Sequence, residues 1–306
     1  MLCEWRSGMF IYTIYGLIIE SDIFIRELIQ INNFEKVDVT IAYGNAPKEM
    51  KNKVCDAVNV KFSKSEFYLY VEGVAHYYVA HGNKIIVELE NKCDEMTSNI
   101  FLLGTCLGML LSQRKTIAIH GGAVVIGGTG VIITGETGTG KSTLTAAFRN
   151  EGHSFLADDV SALGEDREGN PIIYSAFPRQ KLCKDAIKKM GDDLSGYVLI
   201  DKEREKYSIP TNSSFVWGSA PLKSIFEINV VENEQVSIKQ LFGGDKLRSI
   251  LKNIYRIEII NYAALDSDYF KKCIVLSNKI SVFRIDRPKD KFSVKDQMKL
   301  IISSLS

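Results

Sequence analysis

The 306-residue sequence has no surplus of either charge sign: 38 Lys and Arg stand against 37 Asp and Glu. That balance removes the general attraction to nucleic acid or an anionic membrane surface that a basic chain would show, and neither is expected as a partner. Metal-site cysteine spacing is also missing. The six cysteines, Cys3, Cys55, Cys93, Cys106, Cys183 and Cys273, form no C-x-x-C pair and have no accompanying histidine pair, which argues against zinc and reads as scattered reduced thiols. The longest apolar run, Ile100 to Leu111, is too short to span a bilayer and contains two glycines, so it reads as a buried helix. At the start, Met1-Leu2-Cys3-Glu4-Trp5-Arg6 carries an acid and a base, and no signal-type apolar segment follows; a cytoplasmic protein is expected. There is no internal repeat, low-complexity tract or long linker.

What is present is enough apolar material, 45% of residues, for one large or two modest cores. Strand-like patterns run over Tyr12 to Ile19, Val37 to Tyr43, Phe67 to Val71, His76 to Ala80 and Lys84 to Leu89, with one helix around Ile25 to Ile31. These predict a small antiparallel sheet, with His76 and His81 as surface or internally satisfied histidines beside a hairpin. A helix from about Asp94 to Gln113 leads to Thr116 to His120, then Ala123 to Ile126, a Gly127-Gly128 turn, and Gly130 to Thr134. The Gly-Gly step predicts that this last strand has an antiparallel neighbour. Later, Ser154 to Ala157, Val160 to Leu163, Lys223 to Val231 and Ile280 to Arg284 read as strands, and Asp245 to Tyr255 and Ser293 to Leu305 as helices.

Between the Gly130 strand and a helix that contains Leu144 to Phe148 lies Gly135-Glu136-Thr137-Gly138-Thr139-Gly140-Lys141-Ser142, followed by Thr143. It fits G-x-x-x-x-G-K-[ST], the phosphate-binding loop, in the required strand, loop, helix order. Backbone amides freed by the glycines wrap phosphate, Lys141 meets the β and γ phosphates, and the Ser142 hydroxyl can ligate Mg²⁺. The helix that follows turns its positive end to the anion. ATP and Mg²⁺ are therefore the expected cofactors.

One helix and one strand after Lys141 comes Asp158-Asp159. Alone, such a pair reads as a solvated turn or a helix cap. His120, before Gly121-Gly122, could likewise do no more than hold a turn, and His153 reads as packing or capping beside Gly152. Together, though, three blocks occur in order: His120-Gly121, the phosphate loop, and Gly152-His153-Ser154-Phe155-Leu156-Ala157-Asp158-Asp159.

In these blocks the chain resembles the HPr kinase/phosphorylase family over roughly Ile117 to Leu163. Weaker similarity to relatives of the lasso-peptide-kinase type lies in Phe177-Pro178-Arg179-Gln180-Lys181-Leu182, in Glu205-Lys206-Tyr207-Ser208-Ile209-Pro210, and at the N-terminus in Tyr15 to Ser21 and Val37 to Ile41. The resemblance implies an α/β phosphate-loop kinase domain with a mixed sheet over residues 100–306, preceded by a small sheet-rich (α+β) domain over 1–99. It implies Asp158 as the base toward a hydroxyl acceptor, Asp159 beside it toward metal or nucleophile, Lys141 and His120 near the transferred phosphate, and self-association into a homo-oligomer. Arg179, Lys181, Arg204 and Lys206 are candidate phosphate or substrate contacts, or plain surface cations. The family's E-I-R-G-x-G block is absent between Leu163 and Ser306. The expected activity is thus serine phosphorylation of a peptide or protein, with a bifunctional HPr kinase/phosphorylase and a non-catalytic ATP-binding module as alternatives.

Overall fold

The computed structural model describes residues 8–51, 60–90, 93, 95–202, 204–263 and 266–305, with backbone alone at 261–263. Met1 to Arg6, Cys55 and Asp94 lie outside these residues. The chain divides into two compact units, one of residues up to 115 with 262–264, the other of 116–261 and 265–306.

The first unit is an eight-stranded sheet made of β1 (Phe10–Ile14), β2 (Leu17–Ser21), β3 (Ile29–Gln30), β4 (Val39–Tyr43), β5 (Val60–Phe62), β6 (Glu66–Val71), β7 (Ala75–Ala80) and β8 (Lys84–Leu89), in the order β3-β1-β2-β4-β8-β7-β6-β5. It is mixed and not antiparallel throughout, because β4 runs parallel to both β2 and β8. The apolar run Tyr12 to Ile19 is two strands and not one. Tyr15 and Gly16 both have positive φ, 56° and 73°, and make the two-residue turn that pairs Ile14 with Leu17. The helix expected near Ile25 to Ile31 is absent. There, Ile29 and Gln30 pair with the edge of β1, and the Ile25 amide is held by the Tyr12 hydroxyl at 2.8 Å, so sheet pairing overrides the helical spacing.

Helix α1 (Lys48–Lys51) lies beside a cluster of Ala46, Tyr68, Tyr78 and Ala80. His76 is internally satisfied: its Nδ1 lies 2.7 Å from the Tyr68 hydroxyl, and its ring stacks on Tyr70 at 4.5 Å. The segment Glu95–Gln113 is helical throughout, as α2 (Glu95–Phe101), a π-turn (Leu102–Cys106) and α3 (Leu107–Gln113). It matches the helix expected from about Asp94 to Gln113, and its 19 residues have the length and hydropathy of a membrane-crossing helix, although 67% of its apolar window is buried within the protein. Among the described residues the cysteines, Cys93, Cys106, Cys183 and Cys273, are all free thiols.

The second unit is built around β9 (Ala118–Ile126) and β10 (Thr129–Gly135), the hairpin that carries the phosphate loop into α4 (Lys141–Asn150). Next come β11 (Ser154–Ala157), β12 (Val160–Glu165), β13 (Pro171–Tyr174), β14 (Arg179–Cys183), α5 (Lys184–Lys189), β15 (Val198–Asp201), β16 (Lys206–Pro210) and β17 (Ser219–Val231). The chain ends with β18 (Ser237–Leu241), α6 (Gly243–Lys252), α7 (Ile257–Ala263), α8 (Ser267–Lys279), β19 (Ser281–Pro288) and α9 (Val294–Leu305). The main sheet runs β10-β9-β12-β13-β17-β19-β18, and β10 also pairs in parallel with β17, so the first five strands close on themselves. Strands β14, β16 and β15 form a separate three-stranded antiparallel sheet.

Helix α4 holds these layers together because it is apolar on two sides. Leu144 and Phe148 join Val124, Val131, Ile133, Phe226, Ile228, Ile285 and the α9 residues Met298 and Ile301 in one core. On the other side, Ala146 packs with Leu182, Ile187 and Ile209 of the small sheet and α5. Each fully buried Leu, Ile, Val or Phe side chain among them contributes about 1.5–3 kcal/mol. The helix ends in a Schellman closure, with the Gly152 amide on Arg149 O (3.0 Å) and the His153 amide on Phe148 O (3.1 Å).

Candidate active site

His120, the phosphate loop and the Asp158-Asp159 pair are all carried by β9 or by strands paired with it. One edge of β9 pairs with β10 through Gly121 to Ile126, which sets the phosphate loop. The opposite edge pairs first with β12, through Ala118 to His120, and then with β11, through Ala123 to Val125. Asp158 and Asp159 form the turn between β11 and β12 and therefore lie beside Gly121, whose amide donates to Asp159 O at 3.0 Å. Asp159 has φ 62°, a region costly for a residue with a side chain, and the Val160 amide reaches back to Asp158 O at 2.6 Å.

The loop holds its own shape. Gly135 has φ 139°, and a Cβ there would lie 2.4 Å from Ile228 O on β17, so only glycine fits. The Thr139 hydroxyl donates to Glu136 O at 2.8 Å, and Arg287 Nε donates to Thr139 O at 2.7 Å. Lys141 Nζ turns back on Gly135 O (2.8 Å) and Glu136 O (3.0 Å), carbonyls it can exchange for phosphate oxygens. Burial lowers the Lys141 pKa, against Asp159 and Asp158, which raise it. Ser142 is fixed through its carbonyl, which accepts from Gln180 Nε2 at 3.1 Å.

The two neighbouring carboxylates differ sharply. Asp158 is buried; its Oδ2 accepts the Lys181 amide at 2.9 Å, and its Oδ1 has no hydrogen-bond partner. Burial, and after it the charge of Asp159, push its pKa up to about 6. Burial acts in the same direction on Asp159, yet Lys181, His120, Lys206 and Arg256 hold that carboxyl below its ordinary range. The Oδ1 of Asp159 lies 3.4 Å from His120 Nδ1, and its Oδ2 lies 3.7 Å from Lys181 Nζ. Burial lowers the His120 pKa, opposed by Asp159 and reinforced by Lys141 and Arg256, and favours the neutral ring.

The fit to Mg²⁺ rests on the chemistry of its donors, the Ser142 hydroxyl and the Asp159 carboxyl, while Asp158 Oδ1 is left for a hydroxyl. A buried carboxylate oxygen without a donor is costly unless a metal or a hydroxyl completes it. A serine hydroxyl and carboxylates are the hard oxygen donors that Mg²⁺ takes when phosphates supply the remaining ligands. Among the described residues no cluster of three or more His, Cys, Asp or Glu side chains could hold a metal ion.

Residues 111–178 match the family model described as HPr Serine kinase C-terminal domain. An HPr kinase/phosphorylase of Geobacillus sp. is 41% identical over 63 residues, 21% of this chain and 20% of that protein. One from Bordetella pertussis is 40% identical over 70 residues, 23% and 22% of the two chains. The phosphate-loop region of this protein is HPr-kinase-like. A solved HPr(Ser) kinase/phosphatase from Coxiella burnetii aligns with 61% of this chain and 96% of its own at 18% identity, with a TM-score of 0.32. The chain spans about a fifth of the length of the curated relatives it matches.

Within and beyond this HPr-kinase-like region the nominated cations part company. Lys181 and Lys206 lie on one face of the β14–β16 pair, where Lys181 is opposite Ser208 and Lys206 is opposite Cys183, and both act on the Asp pair. Arg179, on the same face, approaches the Ser208 hydroxyl at 3.4 Å. Arg204 is exposed in the turn before β16, its amide bonded to Asp201 Oδ1. His153 packs edge-on against Phe148 at 5.4 Å.

Several residues of the site region escaped the sequence reading. Lys252 bonds Glu136 of the loop at 2.8 Å, and buried Glu227, in register with Thr134, takes Arg284 at 2.9 Å and the Ser249 hydroxyl at 3.1 Å. A lone acid inside Ile225-Phe226-Glu227-Ile228 was the available signal, because charge in a buried strand requires partners. Gln180, between the two nominated cations, carried no signal of its own.

Proposed function

We propose that this protein is an ATP- and Mg²⁺-dependent serine kinase whose acceptor is a peptide or protein. The observation that carries the reading is Asp158: a buried carboxylate with one oxygen fixed and the other unpartnered, within the electrostatic reach of the phosphate-loop lysine. An acceptor hydroxyl donating to Asp158 Oδ1 would complete that oxygen. As the serine oxygen forms its bond to the γ-phosphorus and the bond from that phosphorus to the β-bridging oxygen breaks, the hydroxyl proton passes to Asp158, leaving phosphoserine and ADP. Lys141 and the loop amides meet the phosphate charge, and neutral His120 donates or accepts a hydrogen bond beside Asp159. Ser142 and Asp159 would hold Mg²⁺, which when bound neutralises charge on the β and γ phosphates.

Similarity to lasso-peptide-kinase relatives supports a ribosomal precursor peptide as the acceptor, in a cytoplasmic homo-oligomer. A second reading, HPr kinase and phosphorylase in one, is supported by the names of the relatives and opposed by the missing E-I-R-G-x-G block. The test is transfer from γ-labelled ATP to serine-bearing precursor peptides and to HPr. Wild type labels a serine, and Asp158→Asn loses about 10²–10⁴-fold in rate. Equal rates in the two proteins would remove Asp158 as base, and pyrophosphate release from phospho-HPr on adding phosphate would favour the second reading.

A further inference from the structure

A segment outside the three sequence blocks also reaches the candidate phosphate site. After α6 ends, Asn253 to Tyr255 run beside the start of β9: Asn253 O accepts the His120 amide at 2.8 Å, Ile254 bridges Ile119 in antiparallel sense, and the Tyr255 amide donates to Ala118 O at 2.8 Å. All three are buried. The root of this arm is fixed as well, since Asn253 Nδ2 donates to Ser249 O (2.8 Å) and Glu227 Oε1 (3.3 Å).

Arg256 follows at once, exposed, with φ 55°. Its guanidinium carbon lies 5.6 Å from the Tyr255 ring, and that ring lies 5.6 Å from the His120 ring. An arginine meant only for solvent has no need of a left-handed backbone behind three buried residues. The His120 ring in turn lies against Asp159, Nδ1 to Oδ1 at 3.4 Å. The arm thus delivers a planar, permanently charged donor to the side of the site that carries the carboxylates, whereas Lys141 serves the phosphate loop.

We propose that Arg256 is a phosphate-contacting catalytic residue, whose guanidinium meets the γ-phosphoryl group of the bound nucleotide on the His120–Asp159 side. The inference rests on the phosphoryl-transfer reading of the same site and extends it to a residue outside the matched segment. A guanidinium binds phosphate oxygens through two parallel N–H donors, and one placed at the γ-phosphate would distinguish ATP from ADP.

The experiment is equilibrium binding of Mg-ATP and Mg-ADP to the full chain, with serine transfer measured in parallel, for wild type, Arg256→Ala and Arg256→Gly. Glycine accepts φ 55° without strain, so R256G removes the guanidinium without straining the backbone, and the melting temperature of each variant shows that it is folded. Both variants are expected to bind ATP about tenfold or more weakly and ADP within about twofold of wild type. Equal losses for the two nucleotides, or none for either, overturn the proposal. A wild type that shows the Arg256-dependent preference for ATP but transfers nothing overturns the kinase reading and the catalytic role, and supports the γ-phosphate contact. A wild type that binds neither nucleotide overturns both.

Discussion

Asp158 Oδ2 accepts the backbone amide of Lys181 at 2.9 Å, while the ammonium of the same lysine lies 3.7 Å from Asp159. One residue of β14 therefore fixes one carboxylate by its main chain and neutralises the next by its side chain. Lys181 thus lowers the pKa of both, and the pair is unequal because burial and the charge of Asp159 outweigh it at Asp158, which keeps a raised pKa, whereas Asp159 keeps a lowered one.

The raised pKa of Asp158 has a consequence for stability in nucleotide-free protein with EDTA. The folded state holds this proton to pH about 6, whereas an unfolded Asp releases it near 3.8, so between those values the folded chain binds more protons and loses stability as pH rises. Asp158→Asn abolishes that loss. Its stability relative to wild type should improve from pH 4 to 6 by roughly 2–3 kcal/mol and then level off, as read from denaturant midpoints along a pH series. A flat difference would mean that Asp158 is not raised.

Lys141→Ala should weaken ATP and ADP alike, by about tenfold or more, because the lysine of a phosphate-binding loop meets both β and γ phosphates. Titration calorimetry with each nucleotide reads this out. Loss confined to ATP would place the ammonium on the γ-phosphate alone.

Gly135→Ala should be far more damaging than Gly138→Ala. At Gly138, φ is +85° but nothing lies within 4 Å of an added Cβ, so only left-handed strain of about 1–2 kcal/mol is expected. At Gly135 the added carbon meets Ile228 O at 2.4 Å, and backbone must move. Melting curves should rank G135A well below G138A, with nucleotide binding lost in G135A first.

Glu227→Ala should cost about 3–5 kcal/mol, since it strips Arg284, Ser249 and Asn253 of a buried partner at once. Urea unfolding gives the magnitude. Glu227→Gln, which keeps the shape and some of the hydrogen bonds, should lose less.

Where local chemistry decides the structure, the sequence was readable. The Gly127-Gly128 turn, the hairpin around it, the loop-to-helix transition and the Asp158-Asp159 turn all follow from residues adjacent in the chain. Pairing between distant segments was not readable. Nothing in Ser219–Val231 says that it lies parallel to β10, or that β14, β16 and β15 make a sheet of their own, because such register is set by packing after collapse. The Tyr15-Gly16 turn was hidden for a different reason: a tyrosine at positive φ inside an apolar run carries no turn signature. Helix α8, Ser267–Lys279, was passed over although Asp266 caps it by accepting the Tyr269 amide at 2.9 Å. Arg256 could not be placed without the bridge from Ile254 to Ile119.

Strand β9 pairs with β10 on one edge and with β11 and β12 on the other. It therefore acts as a common datum for the phosphate loop, His120 and the carboxylate pair. The distance from phosphate loop to nominated base is measured across one strand by backbone hydrogen bonds, so positional errors in other parts of the domain do not accumulate in it. The Asn253 to Arg256 arm pairs with the start of the same strand, whereas the small β14–β16 sheet reaches the site through the Lys181 amide on Asp158. Remodelling those connections would change which hydroxyl can reach the site and leave the gauge between phosphate and carboxylate as it is.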